Sequence, residues 1–580
     1  MSFLGVDASL TGRRWVGPDL ATERAAEALV QQAAVPQAVA NVLARRGVSP
    51  QEAIGFLSPA LRDLLSDPRH LRDMEKAAKR LIQAVNNRER VAIFADYDVD
   101  GGCSAALLIA WLRDFNTDAT LYIPDRIDEG YGPNDAAMSD LAARHDLIVC
   151  VDCGTLSHGP VEAAAGADVV ILDHHLGGET LPAAHAIVNP NRQDEDGSLS
   201  HLCAAGVVFL LLVEVGRQLR EAGRKGPDLL SFLDLVALAT VADVAPLIGV
   251  NRAFVRQGLL VMARRHRPGL AALSDIARLD RAPTAYHLGY VLGPRINAGG
   301  RVGAADLGAQ LLATQDLQQA SRLAERLDAL NTERRAIEER VRAEALAQAE
   351  ARGFDRALVW AAGDGWHPGV VGIVASRLKE VSGKPSIVIG FENGIGKGSG
   401  RSVPGIDLGQ PIQRLALEDL LLKGGGHKMA AGLTVREDLL EPAMVALESL
   451  LEKQGAHQSN TADLRLDGIL MPTAATVELV ESIETAGPFG AGASAPRFAL
   501  AHMRVRYFKR VGENHLKFAC VDDTGHEIDG ICFRAFDGPM GPALEQHGGR
   551  RFHLAGRLEI NSWQGRQKVQ LSLEDASPAN

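Results

Sequence analysis

The sequence predicts an α/β protein of several domains: a parallel-sheet domain, joined by one long helix to a smaller α/β domain, followed by a C-terminal β-barrel or sandwich. Three observations carry this. From residue 90 to about 215, short apolar runs (RVAIFAD, ATLYIPD, DLIVCVD, DVVILDHH) alternate with helical stretches, the pattern of parallel strands with crossover helices. Residues 316–352 read as one long charged helix. From about 460 onward, short alternating runs such as RVRYFKR, HLKFACVDD, HEIDGICF and RRFHLAGRLEI are separated by turn residues, as in small all-β folds.

In chain order, residues 1–70 form an N-terminal helical segment, and residues 25–90 are rich in Ala, Leu and Arg with helical spacing. Helix starts fall at Ser49 in SPQEA and Ser58 in SPALRDLL, each a cap followed by proline. The parallel-sheet domain occupies 71–315. The connecting helix, 316–352, has a narrow apolar seam of Leu323, Leu327, Leu330, Ile337 and Val341 and stops at Gly353; polar on its other sides, it suits a connector. In 353–455 a second α/β pattern has RALVWAA and KPSIVIGF as strands and GVVGIVASRLKEV as a helix, and 456–580 is the β domain.

At 580 residues the chain is too long for one core. Its net charge of −11 argues against a protein that coats nucleic acid indiscriminately, while allowing a local basic channel. No apolar run approaches the roughly 20 residues of a membrane span, and the start, MSFLGVDASLTGRRW, lacks the apolar core of a signal peptide. A cytoplasmic protein with no membrane partner is expected. Six cysteines are too few for a disulfide framework. Cys150-Val-Asp-Cys153 lacks the second pair a zinc site would want. Within DLIVCVDCG, a buried strand, positions three apart face opposite sides, so the two read as ordinary buried cysteines.

The chemistry concentrates at strand ends. In FADYDVDGGCSAAL the aspartates 96, 98 and 100 follow a strand ending near Ala95 and precede the helical run CSAALLIAWLRDF. They lie in a loop at the carboxyl end of a strand, where open α/β sheets place ligands. This stretch alone serves a solvated acidic turn with Asp100 as a helix cap equally well. Its company decides. The following strands end in Asp152 (IVCVDCG) and Asp173-His174-His175 (VVILDHH), and the helical run FLDLVALATVADVAPL carries Asp243. Parallel strands deliver such side chains to one edge, and their mutual repulsion is costly unless cations neutralise it. Carboxylates with one or two imidazoles suit Mg²⁺ or Mn²⁺ better than zinc. Five or six ligands exceed what one such ion needs if it must also hold substrate. Two ions ~3.5–4 Å apart sharing a carboxylate would use them and suit in-line displacement at phosphorus, which implies phosphoester hydrolysis.

DYDVDG, the Asp of VDCG, the DHH triplet and ADVAPL together resemble the four motifs of the DHH phosphoesterase superfamily. YIPDRIDEGYG, GPRINAGGR, GWHPGVVGIVASRL, KGSGRSVPGIDL and GGGHKMAAGL resemble its branch of bacterial single-strand-specific exonucleases, from about residue 40 to the end. The resemblance implies a DHH domain, a DHH-associated domain and an OB-fold-like barrel. It implies a two-metal-ion exonuclease (Mn²⁺ or Mg²⁺) that hydrolyses single-stranded DNA 5′→3′ to mononucleotides in DNA repair and recombination. By the same resemblance Asp98 and Asp100 each bind one ion, Asp152 bridges them, and His174 and Asp243 complete the second ion's shell. His175 lies against the scissile phosphate. Asp96, one pleat back from Asp98, is expected to orient a ligand from behind and not to bind an ion itself. Arg126, Arg295, Asn297, Arg301, Ser399, Arg401 and His427 are the expected substrate contacts, with the KGSGRS glycines letting backbone N–H groups approach an anion. Implied partners are single-stranded DNA, a single-strand-binding protein and a helicase, with the chain itself a monomer.

The β domain supports nucleic-acid binding separately: from Arg497 to Lys568 there are twelve Lys or Arg against eight Asp or Glu, and RVRYFKR interleaves Tyr507 and Phe508 with cations. The chain departs from the family pattern twice. Gly102 and Cys103 stand before Ser104 where the family has Thr or Ser shortly after the DxDG glycine, and GPFGAG is followed by Ala-Ser-Ala-Pro instead of Asn-Pro-Glu-Pro. Superfamily enzymes acting on pyrophosphate, cyclic dinucleotides or very short oligonucleotides generally lack the long β domain. Non-catalytic relatives in replication helicases should have lost metal ligands, and here the set is complete.

Overall fold

The computed structural model describes residues 2–126, 129–456, 463–563 and 566–579, so Ile127 and Asp128 of the YIPDRIDEGYG stretch lie outside the described residues. The chain forms two compact units. One comprises Ser66–Pro246 and Phe254–Asn460; the other comprises Met1–Leu65, Leu247–Ala253 and Thr461–Asn580.

The first unit contains a five-stranded, all-parallel sheet in the order Ala119–Tyr122, Val91–Ala95, Leu147–Val151, Asp168–Leu172, Ala186–Val188. Strands Val91–Ala95 and Leu147–Val151 are buried at every residue, as a sheet covered on both faces requires. The chain order along the sheet reverses between these two central strands. A crevice therefore opens beyond their carboxyl ends, the position where doubly wound sheets bind ligands. The structure changes one expectation about the cysteines. Cys150 and Cys153 join the same apolar cluster. The strand ends at Val151 and Asp152 has φ +61°, so the chain turns before the pleat can carry Cys153 to the other face.

The long helix runs Leu317–Arg352, capped by Asp316, whose side chain accepts from the N–H groups of Gln318 and Gln319. Gly353, at φ +87°, ends it. Leu327, Leu330 and Val341 are buried, and Ala320, Ala324, Ala345 and Ala349 extend their seam, whereas Leu323 and Ile337 are only half-buried. At 1.5 Å per residue the helix is about 54 Å long, enough for its first half to pack on Gly293–Val302 and its second on Pro368–Ser382.

Beyond it lies a second sheet in the order Lys423–His427, Ala430–Arg436, Ile395–Arg401, Ser386–Glu392, Val359–Asp364, antiparallel except for the last pair. The expected anion-binding loop KGSGRS is a central strand here. Each residue of Ile395–Arg401 pairs on both sides, so its backbone N–H groups are committed to the ladder. The glycines serve packing: a Cβ on Gly398 would come within 2.8 Å of Ile389 and 2.9 Å of Leu433, and one on Gly400 within 2.6 Å of Leu408.

In the second unit, Phe498–Val511, His515–Val521, Glu527–Cys532, Arg566–Pro578 and Arg551–Trp563 form a barrel that closes by pairing Phe498–Val511 with Arg551–Trp563. The N-terminal segment joins this barrel. Trp15–Val16 pairs in parallel with Leu464–Arg465, and the buried Trp15 donates its indole N–H to Asp575, 3.0 Å away. The expected serine caps are absent. The short helices here are Ala53–Leu57 and Leu61–Leu64, starting after Glu52 and Ala60, neither of which caps with its side chain. Ser49 instead closes a turn in which its own N–H and hydroxyl donate to Glu52.

Candidate metal centre and phosphate site

The aspartate run becomes a turn and a helix start. Asp98 is the N-cap of Val99–Arg113, its carboxylate accepting from the N–H groups of Asp100 and Gly101. Capping thus falls to Asp98, and Asp100 sits inside the first helical turn, buried. Its two oxygens accept from the N–H groups of Ala204 and Ala205, at 2.6 and 2.8 Å. These are the first residues of the helix Ala204–Glu221, whose unsatisfied amides and dipole favour an anion. The first glycine is obligatory: a Cβ on Gly101 would lie 2.3 Å from the Asp96 carbonyl oxygen, whereas one on Gly102 meets nothing closer than 3.6 Å.

Around this turn the expected ligands converge. His174 Nε2 lies 3.2 Å from Asp152, 3.8 Å from Asp100 and 3.9 Å from Asp243. Asp243 caps the carboxyl end of the helix Leu233–Ala242. Among the described residues three sets have ligand atoms close enough for one ion: Asp96 with Asp98 and Asp152, Asp100 with His174 and Asp243, and Asp152 with His174 and His175. Asp96 is thus drawn in beside Asp98, closer than the supporting place expected of it.

The donor set fits divalent cations on physical grounds. Burial raises the pKa of Asp96, Asp100 and Asp152, and the neighbouring carboxylates add to it. Burial, then the charges of Asp100 and Asp98, pushes Asp243 up to about 8. Neither Asp96 Oδ1 nor Asp152 Oδ1 has a hydrogen bond to offset its burial. Buried oxygens of hard donors that lack hydrogen bonds are what Mg²⁺ or Mn²⁺ would complete.

His175 is held differently. Asp173, absent from the expected contacts, is buried, and its Oδ1 lies 2.8 Å from His175 Nδ1 while also accepting from the N–H groups of His174 and His175. Its other oxygen accepts from the Thr155 N–H and hydroxyl. Burial opposes the charged imidazole, but the hydrogen bond and charge of Asp173 outweigh it and raise His175 to about 8. The Tyr131 hydroxyl donates to the Asp152 carbonyl at 3.0 Å and lies 3.1 Å from His175 Nδ1. Asn189 donates to Thr155 Oγ1 and to the His175 carbonyl, and Asn191 to the His174 carbonyl. Tyr131 and Asp173 lay inside quoted motifs, and the asparagines in VNPN carried no periodic signal.

Arginines cluster beside the carboxylates. Arg126 stands 5.1 Å over the Tyr97 ring, between Asp96 and Asp98 in sequence. Arg301 donates to the Gly369 carbonyl, 3.0 Å away, at the start of the helix Pro368–Ser382. Burial, then Arg126 and Arg334, lowers Arg301 to about 10; burial, then Arg126, lowers Arg401. Ser399 and Arg401 point from their strand toward Gly372 of that helix, where a Cβ would sit 3.0 Å from Ser399 Oγ and 3.1 Å from Arg401 Nη2. Arg126 thus stands close enough to both Arg301 and Arg401 to disfavour their charge, and such a cluster beside a helix N-terminus suits an anion. His367, the cap of that helix, is also lowered by burial and by Arg126; the sequence reading quoted its motif without selecting it.

Other expected contacts are placed differently. Arg295 turns away to bond Asp328 at 2.8 Å and the Val291 carbonyl, so it fastens its helix to the long one. Asn297 is half-buried one turn before Arg301 on the same helix face. His427 is exposed and pairs with Ala430, which pairs in turn with Arg401. It therefore shares a sheet face with Arg401 two strands, about 10 Å, away. On the barrel, a bulge between Val505 and Tyr507 leaves Arg506 and Tyr507 both outward. Phe508, expected beside Tyr507 on the surface, packs partly into the barrel core. Exposed Phe533, edge-on to His515, is an aromatic the sequence reading missed.

A parallel sheet with DHH-type carboxylates and imidazoles at its switch point, followed by a smaller sheet that contributes Arg401 to the arginine cluster, defines a phosphoesterase of the DHH class. Residues 90–240 match the model of the DHH family, N-terminal domain, residues 355–453 that of the DHHA1 domain and residues 466–575 that of the RecJ OB domain. The single-stranded-DNA-specific exonuclease RecJ of Dickeya dadantii is 38% identical over 94% of this chain and 96% of its own length; that of Escherichia coli is 36% identical over the same shares. The structure of Thermus thermophilus RecJ in complex with Mn²⁺ covers 97% of this chain and 79% of its own, with a TM-score of 0.81 and 28% identity, and its complex with Mg²⁺ gives 0.75 and 27%. The chain belongs to the RecJ family.

Proposed function

We propose that this protein is a divalent-metal-dependent 5′→3′ exonuclease that hydrolyses single-stranded DNA to mononucleotides in DNA repair and recombination. One observation carries the proposal: a cluster of buried Asp96, Asp100 and Asp152 with half-buried Asp98, His174 and Asp243 lies beside the arginines 126, 301 and 401. In this reading Asp96, Asp98 and Asp152 would hold one ion and Asp100, His174 and Asp243 the other. Bound divalent ions supply charge neutralisation and a water of lowered pKa.

The chain's own groups account for direction and product. Arg126, Arg301 and Arg401, with Ser399, grip the terminal 5′-phosphate. His175, held cationic by Asp173 up to about pH 8, donates a hydrogen bond to the scissile phosphate, where negative charge develops. Breaking the bond between phosphorus and the first nucleotide's 3′-oxygen frees a 5′-mononucleotide with a 3′-hydroxyl. The shortened strand then begins with a new 5′-phosphate, the group the arginines bind, so each cycle restores the substrate for the next. Asn297 and His427 complete the strand contacts, and Arg295 acts by positioning its helix. The domain boundaries at 70, 315, 352 and 455, monomeric action, recruitment by a single-strand-binding protein or helicase and a cytoplasmic location belong to the same proposal.

The test uses single-stranded DNA labelled at either end, with Mn²⁺ or Mg²⁺, beside duplex DNA and RNA. Mononucleotides released first from the 5′ end of single strands are expected from wild type and not from Asp100→Ala. Equal activity of the two proteins would overturn the assignment.

A further inference from the structure

Tyr286 and Tyr290 are 63% and 74% exposed, with ring centroids 5.1 Å apart and planes inclined by only 26°. Two large rings that leave most of their surface in water contribute little to the core, yet they are held in a parallel stack. Their backbone explains the order. Residues His287–Leu292 adopt π-helical geometry and run without a break into Gly293–Val302, the helix of Arg301. The preceding turn is closed by the buried His287, whose Nδ1 accepts from the Thr284 N–H at 3.0 Å. Wide π turns are rare and are frequently found at functional sites.

The placement of this helix ties the rings to the reaction centre. A Cβ on Gly289 would lie 3.3 Å from Val241 and one on Gly293 3.4 Å from Ala242, so the helix rests on the last residues before Asp243. Farther along, a Cβ on Gly300 would lie 2.8 Å from the Tyr97 carbonyl, between Asp96 and Asp98. One continuous helix thus packs against the residues beside Asp243 and between Asp96 and Asp98, carries Arg301 near its end and holds the stacked pair at its start. An exposed aromatic stack on the helix that leads to a site for a polyanionic strand matches the surface on which unpaired bases lie, because every base has a π face.

We propose that Tyr286 and Tyr290 form a base-stacking platform for the single strand whose 5′ end occupies the arginine site. The inference rests on the function proposed above and adds a substrate contact to it. Only unpaired bases can lie on such a platform, so it also contributes to the preference for single strands.

Two measurements test it. Metal-free wild type is irradiated with strands carrying 5-iodouracil at one position at a time, and the adducts are mapped by mass spectrometry. Adducts on Tyr286 or Tyr290 from one register near the 5′ end are expected; adducts only elsewhere overturn the proposal. In steady-state kinetics on a long oligothymidylate, Y286A/Y290A raises KM roughly tenfold at unchanged kcat. Tryptophan at both positions restores KM and leucine does not. An unchanged KM in the alanine variant, or rescue by leucine, also overturns it. Should wild type fail to degrade single strands, or Asp100→Ala match it, the reading of the metal centre fails instead; the platform alone fails if that control holds and the tyrosines neither crosslink nor alter KM.

Discussion

Asp173 shows how much one side chain can set. It is buried, accepts from four donors and lies against His175, so it fixes both the ring and its charge. Asp173→Asn is expected to lower kcat about 10–100-fold, the range for groups that orient a reactive one. It should also move any alkaline limb of the pH–rate profile owed to His175 from about 8 toward the ordinary histidine value near 6.5. An unchanged profile would assign the limb to another group. Arg295 and Arg301 make a second contrast, because the sequence presents both as phosphate ligands. Arg295 bonds Asp328 and Arg301 faces Arg126. Arg301→Ala should raise KM for 5′-phosphorylated strands at least tenfold with little change in melting temperature. Arg295→Ala should leave KM nearly unchanged and lower stability by roughly 1 kcal/mol in denaturant titration.

At the scale of elements, the carboxyl edge of the parallel sheet collects more negative charge than a fold tolerates without cations. Asp96, Asp100 and Asp152 all have raised pKa values, and Asp243 stands near 8. A carboxyl whose pKa rises on folding binds its proton more tightly in the folded state. Its stabilising effect is full below the unfolded value near 4 and is lost as pH climbs through the folded one. The metal-free protein should therefore melt at progressively lower temperature as pH rises toward 8. Manganese should reverse this at pH 8, by about 2.7 kcal/mol per site at a hundredfold excess over Kd. A melting temperature independent of both pH and metal would show that the carboxylates do not repel. The strand Ile395–Arg401 makes a complementary point. Its glycines read as a phosphate nest in sequence, but a ladder on both sides takes every backbone donor, so only side chains such as Ser399 and Arg401 are left to meet an anion.

For the molecule as a whole, the parallel sheet, the long helix, the second α/β layer and the barrel were legible because each depends on local periodicity. The convergence of Asp98, Asp100, Asp152 and His174 was legible because parallel strands bring successive carboxyl ends to one edge, and Asp243 joins them from the carboxyl end of a helix. What escaped depends on tertiary pairing. Arg295 finds Asp328 only once the long helix packs on its own helix, and Phe508 turns inward because a bulge shifts the register two residues earlier. Tyr131, Asp173 and His367 sat inside quoted motifs but show their roles only when the neighbouring loops fold over them. The N-terminal segment pairs with Leu464–Arg465 across most of the chain length, a contact no local pattern announces.

The central claim is that two cations, not one, hold the aspartates of DYDVDG together. Anomalous scattering from crystals grown with Mn²⁺ counts them directly. The account predicts two peaks flanking Asp152, one among Asp96 and Asp98 and one among Asp100, His174 and Asp243, with Asp100→Ala losing the second. A single peak, or none among these residues, would contradict it.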